Sequence, residues 1–160
     1  MNLSRKLAAA LDARLDIDLP TAPLVVDDGD HRLSLELTAC GPVGLAFTAL
    51  EFTSAAASER TTEALRAWAD RLAARVTYLM EPLVVLEVDT VAGEAELRSQ
   101  SPTARGELKS YYEVRLNKGG ILRLSRVVFD DTARRRRPAS CQMTREVLER
   151  LTDDLVACAG

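Results

Sequence analysis

Four consecutive arginines, Arg134 to Arg137, followed by Pro138, are the densest chemistry-bearing feature of this 160-residue chain. Guanidinium groups are planar, permanently charged and carry a fork of donors, so a cluster of them can clamp carboxylate or phosphate groups. Arg123 and Arg126 lie just upstream on an alternating, strand-like run, and the six arginines together form the candidate contact for an anion or an acidic partner. Nucleic acid is the obvious polyanion. Single-strand binders, however, interleave aromatic side chains for base stacking. Only Tyr111 and Tyr112 lie near by, in a chain whose net charge is −3. An acidic protein surface, or the acidic face of a second copy, fits better than nucleic acid, and a solvated loop is the plain alternative.

The charge distribution supports that preference. Residues 1–57 carry 4 basic and 8 acidic side chains, residues 58–107 carry 6 and 9, residues 108–142 carry 9 and 3, and residues 143–160 carry 2 and 4. An acidic body therefore holds one basic segment, which can steer association with an acidic partner or with itself.

The residue types needed for catalysis are sparse. His31 is the only histidine, and it follows the acidic turn Asp27-Asp28-Gly29-Asp30, where an exposed strand-edge position is expected rather than a place beside a nucleophile. Those carboxylates lack the oxygen-ligand spacing and terminal glutamate of a calcium loop, and an Asp-Gly turn explains them. Glu87, Asp89, Glu94 and Glu96 cross a predicted hairpin without a marked pair of the kind glycoside hydrolysis uses. Cys40, Cys141 and Cys158 are too scattered for a zinc site or a disulfide framework, which points to a reducing, cytoplasmic setting. Gly119-Gly120 belongs to a strand-to-strand turn, not to a phosphate cradle at a helix N-terminus. No catalytic, cofactor-binding or metal-binding residue is therefore assigned, no cofactor is expected, and a non-enzymatic protein is.

The elements that must position these residues follow from periodicity. Leu3, Leu7, Leu11 and Leu15 form one stripe of an amphipathic helix. Leu24 to Val26, then Leu33, Leu35 and Leu37, flank the Asp-Gly hairpin signal, and a strand apolar on both faces follows from Val43 to about Phe52. Ser58 and Glu59 can open a second helix striped by Leu65, Trp68, Leu72, Val76 and Leu79 and stopped by Pro82. Leu83 to Leu86 and Glu94 to Arg98 make a second hairpin, and Ser101 to Gly106 a small-residue loop. Tyr112, Val114 and Leu116, the turn Asn117 to Gly120, then Leu122, Leu124 and Val128 make a third. Asp130 to Ser140 reads as a polar loop, and Thr144 caps a last helix striped by Val147, Leu148, Leu151 and Leu155.

The expected fold is α+β, an antiparallel sheet with helices on one face in the order α-βββ-α-ββ-ββ-α, as a single domain over 1–160. The longest uncharged stretch, Leu37 to Leu50, is too short to span a bilayer, and no export signal opens the chain. The helix from Leu3 to Leu15, the meander from Leu24 to Phe52, the helix from Ser58 to Leu79 and the closing helix from Thr144 to Val156 together resemble the small acidic chaperones of type III secretion systems. That resemblance implies a homodimer that keeps an effector segment unfolded along apolar surface grooves. The chain departs from that family in having four predicted strands, not two, before the last helix, and in its arginine run; no residue carries over as a site.

The leading expectation is thus a non-enzymatic protein-binding domain, with an unidentified protein and itself as partners and neither nucleic acid nor membrane. A small-molecule or lipid cavity between sheet and helices is the first alternative, although aromatic residues make up only 4% of the chain. An anion contact through Arg134 to Arg137 is the second.

Overall fold

A computed structural model of the chain describes residues 2–15, 22–57, 60–100 and 103–159. The first helix, α1 (Leu3–Asp12), begins where the Asn2 side chain accepts a hydrogen bond from the Arg5 amide at 3.0 Å. Then come β1 (Leu24–Asp27), β2 (His31–Cys40), β3 (Gly44–Ser54), a single 3-10 turn, α2 (Thr62–Arg75), β4 (Leu83–Asp89) and β5 (Glu94–Ser99). The chain finishes with β6 (Thr103–Arg105), β7 (Leu108–Asn117), β8 (Ile121–Asp130), β9 (Arg135–Ala139), β10 (Cys141–Thr144) and α3 (Arg145–Ala159).

The ten strands formed by the described residues join one antiparallel sheet, whose main path is β1-β2-β3-β8-β7-β5-β4. The α+β class and the order of helices and long strands are as the periodicity implies. Two turns follow from local chemistry. Gly29 adopts φ +100° in the β1–β2 hairpin, and the Asn117 side-chain oxygen accepts from the Gly119 and Ile121 amides between β7 and β8.

The sheet forks in the middle. β3 pairs β8 only from Leu50 to Thr53, opposite Ile121 to Leu124. Beyond that point β9 takes over the rest of β8, from Arg126 to Asp130, and β10 takes the start of β3, from Gly44 to Phe47. The segment expected to be a polar loop is therefore two short strands. Its conformation comes from the backbone donors and acceptors that β8 and β3 leave unpaired when they part, which a neighbouring extended segment satisfies. Part of the Ser101 to Gly106 loop is likewise the strand β6, hydrogen-bonded to the start of β7; Ser101 and Pro102 lie outside the described residues.

All three helices pack on one face of this sheet. Leu3, Leu7 and Leu11 of α1, Leu65, Trp68 and Leu72 of α2, and Leu148, Leu151 and Leu155 of α3 meet Leu35, Phe47, Leu50, Phe52, Val114, Leu122 and Leu124 in one core, each at most 2% exposed. Among the described residues no helix is long and apolar enough to cross a membrane.

Local expectations shift at the helix ends and at His31; α1 ends at Asp12, so Leu15 of the expected stripe lies beyond it. Helix α2 ends at Arg75, so Val76 and Leu79 are buried beyond it, and Pro82 is not its stop. The expected opening at Ser58 and Glu59 lies outside the described residues. Thr61 is the N-cap, with its hydroxyl accepting from the Ala64 amide at 3.1 Å. Replacing Thr61 with alanine is expected to cost about 1 kcal/mol in urea unfolding, and serine is expected to restore it. The last helix begins as expected, with the Thr144 hydroxyl accepting from the Val147 amide at 3.1 Å. His31 is not an exposed edge residue. Its ring stacks on Phe52 with centroids 5.8 Å apart, and Nδ1 lies 3.2 Å from the Asp28 carboxylate.

Candidate binding face

Strand alternation splits the arginine run between the two faces of the sheet. Leu122 and Leu124 point into the core, so Arg126 and Val128, and with them their β9 neighbours Ala139 and Arg137, belong to the helix-bearing face. Arg136 pairs with Phe129 and lies on the opposite, helix-free face.

There Arg136 meets Glu113. Its Nη2 donates to both carboxylate oxygens, at 3.1 and 3.0 Å. Register brings two further cations to the same place, because β5 and β7 set Arg98 directly opposite Glu113 and Glu96 opposite Arg115. Opposite charges in facing cross-strand positions stabilise a sheet. Arg115 lies 3.5 Å and Arg98 3.8 Å from Glu113 Oε1, and Arg98 also pairs with Glu96 at 3.1 Å. The Arg98 guanidinium covers the Tyr111 ring, 4.9 Å from its centroid. Tyr111 and Val127 are buried on this face without belonging to the main core.

Glu113 is 7% exposed although no helix lies over it. Burial pushes its carboxyl up, but hydrogen bonding with Glu96 and Arg136, and the charges of Arg136 and Arg115, more than offset this and hold it below its ordinary value of 4.5. A carboxylate whose folded-state pKa is depressed contributes stability above its unfolded value and loses that contribution as pH falls through the folded one. The melting temperature should therefore drop as pH falls below 4.5, and Glu113→Gln should flatten that part of the profile. A profile of unchanged slope in the variant would show that the acid sensitivity originates elsewhere.

An open cleft of about 450 Å³ adjoins this network at the fork of the sheet, lined by Glu36, Thr48, Ser125, Arg136 and Pro138, with Glu113 beside them. Thr48 Oγ1 donates to Glu36 at 3.1 Å, so the cleft is polar on both walls.

Of the other predicted arginines, Arg126 and Arg137 also line this cleft, whereas Arg123, Arg134 and Arg135 do not. Arg123 faces Glu51 across the β3–β8 ladder with Nε 3.7 Å from Oε2, an exposed pair of little energetic weight. Arg134 turns the chain at φ +55° and lies over Phe129, 5.6 Å from the ring centroid. Arg135 is exposed. Arg126 is buried beside Glu81 on the helix-bearing face.

This face presents charged and hydrogen-bonding groups. Burial pushes the Cys141 thiol up to about 12, and desolvation also raises Cys40 and Cys158, so these sulfurs are protonated, weak nucleophiles at neutral pH. Among the described residues no group of three or more His, Cys, Asp or Glu side chains is placed to hold a metal ion. Comparison with protein-family models, curated proteins and solved structures finds no match.

Proposed function

We propose that the protein is a non-enzymatic binding domain that docks a protein partner on the helix-free face of its sheet, and that a second copy of the chain is that partner. The observation behind this reading is the charge pattern of that face. Arg98, Arg115, Arg123 and Arg136 are interleaved there with Glu51, Glu96 and Glu113, and most of these side chains are only half covered. A two-fold interface sets one patch against itself, so it needs a patch that carries both signs. The proposal rests on charge rather than on an apolar groove. Among the described residues the exposed large apolar side chains are Val25, Val43, Met80, Leu86, Val91 and Leu108, and none of them lines the cleft beside this network.

Light scattering after size exclusion tests the reading. The chain should elute as a dimer at low salt and shift toward monomer at high salt, because contacts between solvated charges are screened. Arg115→Glu combined with Arg123→Glu should weaken the dimer by roughly 100-fold or more, as like charges brought together cost several kcal/mol. A monomer at every salt and concentration overturns the proposal, as does a dimer indifferent to both salt and the charge reversals.

A further inference from the structure

The helix-bearing face carries a second cleft, lined by no helix residue, where β6, β7, β8 and β9 lie side by side. It is open and has a volume of about 360 Å³, within the range of small-molecule sites. Register explains its lining. Arg105 pairs with Leu108, Ser110 with Val128, and Val128 with Arg137, so these side chains share one face with Arg126 and Tyr112.

Three properties distinguish this cleft from a solvated surface. First, its floor holds a built cation. Arg126 is 7% exposed, donates from Nη2 to Ser110 Oγ at 2.9 Å and stacks 4.6 Å from the Tyr112 ring centroid. Its Nη1, 3.7 Å from Glu81 Oε1, is buried without a hydrogen bond. Second, Arg105 and Arg137 reach the mouth exposed and form no ion pair among the described residues, while Arg126 beneath them has Glu81. Third, the rim is apolar. Met80 is 69% and Leu108 37% exposed, the two exposed large apolar side chains that meet at one site. Met80 also holds a left-handed backbone at φ +37°, unusual for a residue with a side chain, and such conformations concentrate at binding sites.

Fixed positive charge at the floor with apolar walls at the mouth calls for a ligand with one anionic head and a short apolar tail. We propose that this cleft binds a small organic carboxylate carrying an apolar chain, with Arg126, Arg137 and Arg105 receiving the carboxylate and Met80 and Leu108 covering the tail. Planar carboxylate matches the guanidinium fork. The site lies on the face opposite the proposed dimer contact, so the two proposals stand or fall separately.

Calorimetric titration with octanoate at low salt tests it, with octanol and inorganic phosphate as the uncharged and tail-less controls. Octanoate should bind once per chain and raise the melting temperature. Both controls should bind at least tenfold more weakly. The double variant Arg105→Ser/Arg137→Ser changes two exposed positions and should retain the fold. It should weaken octanoate at least tenfold, whereas Arg5→Ser on α1 should leave it unchanged. Absence of octanoate binding, equal binding of octanol or phosphate, or undiminished binding by the double variant would each overturn the proposal.

Discussion

Replacing Glu81 with alanine is expected to destabilise the fold by about 3–5 kcal/mol, because it strands a buried guanidinium. Glu81 and Arg126 are each 7% exposed, and their charged atoms approach to 3.7 Å. Glu81 Oε1 also accepts from Ser99 Oγ at 2.7 Å, and Ser99 Oγ in turn accepts the Tyr112 amide at 2.8 Å. The carboxylate thus anchors a hydroxyl that satisfies a backbone N–H just beyond the last β5–β7 ladder pair, Arg98 with Glu113. Alanine removes both interactions at once and leaves Arg126 with no nearby carboxylate among the ion pairs described for it. For a chain of this size the loss corresponds to a fall in melting temperature of roughly 10 °C. Removing both charges, as in Glu81→Leu/Arg126→Met, should recover most of it, since a buried pair replaced by apolar side chains of similar volume is often neutral. Urea unfolding of the two single variants and the double closes the cycle. Single variants that each lose less than about 1 kcal/mol would mean that water reaches the pair and screens it.

The same pair shows where sequence reading stops. Glu81 lies between Met80 and Pro82 with no local sign of its role, and its partner is 45 positions away on β8. Contacts of that kind depend on sheet register, which turn lengths and distant hydrophobic faces decide together. Short-range chemistry was legible: the Asp28-Gly29 and Asn117 to Gly120 turns, the Thr144 cap and the buried leucines Leu3, Leu7, Leu11, Leu65, Leu72, Leu148, Leu151 and Leu155 follow from spacing. Leu15 and Leu79, however, lie beyond the helices they are expected to stripe. Tyr111, Glu113 and Arg115 could be placed on one side of their strand by alternation, but that Arg98 faces Glu113 could not. The spacing places the start of α2 at Ser58, outside the described residues, whereas the N-cap in the structure is Thr61. The arginine run was misread for a different reason. Nothing in Arg134 to Pro138 favours a strand intrinsically; β9 forms because β8 outruns β3 and leaves an edge to be paired.

That tertiary origin also changes what the run can do. In a loop, four arginines would present one continuous cationic surface. Within β9, Arg135 to Arg137 alternate, so Arg136 is committed to Glu113 on one face while Arg137 is left at the mouth of the cleft on the other. A segment whose nine cations oppose three anions in sequence is thereby divided between an ion-pair network on one face and a cleft on the other, where Arg137 forms no ion pair among the described residues.

Trp68→Ala is expected to be about as costly as the loss of Glu81, at roughly 3–5 kcal/mol, through a different mechanism. Trp68 is fully buried on α2, in the core that joins the helices to the sheet. Its removal forfeits apolar burial and leaves a cavity that surrounding leucines can fill only in part. It also removes the surface on which Arg60 rests, 4.6 Å from the ring centroid, while that guanidinium donates to the Ala159 carbonyl at the end of α3. Arg71 donates to the neighbouring Cys158 carbonyl from Nε and Nη2, so the C-terminal carbonyls of α3, which no helical amide can reach, are satisfied by cations from the α2 region. Trp68→Phe separates the two contributions. The indole Nε1 is buried with no hydrogen-bond partner, so phenylalanine removes an unsatisfied donor while keeping an aromatic ring in the core. Its cost should be well below that of alanine, about 1 kcal/mol, because deleting the orphaned N–H offsets part of the lost volume. Urea unfolding, followed by far-ultraviolet circular dichroism since the fluorophore is gone, gives both values. If phenylalanine proved as damaging as alanine, Nε1 would have to be hydrogen-bonded in solution, and the junction of α2 and α3 would be held by the indole rather than by the two arginines.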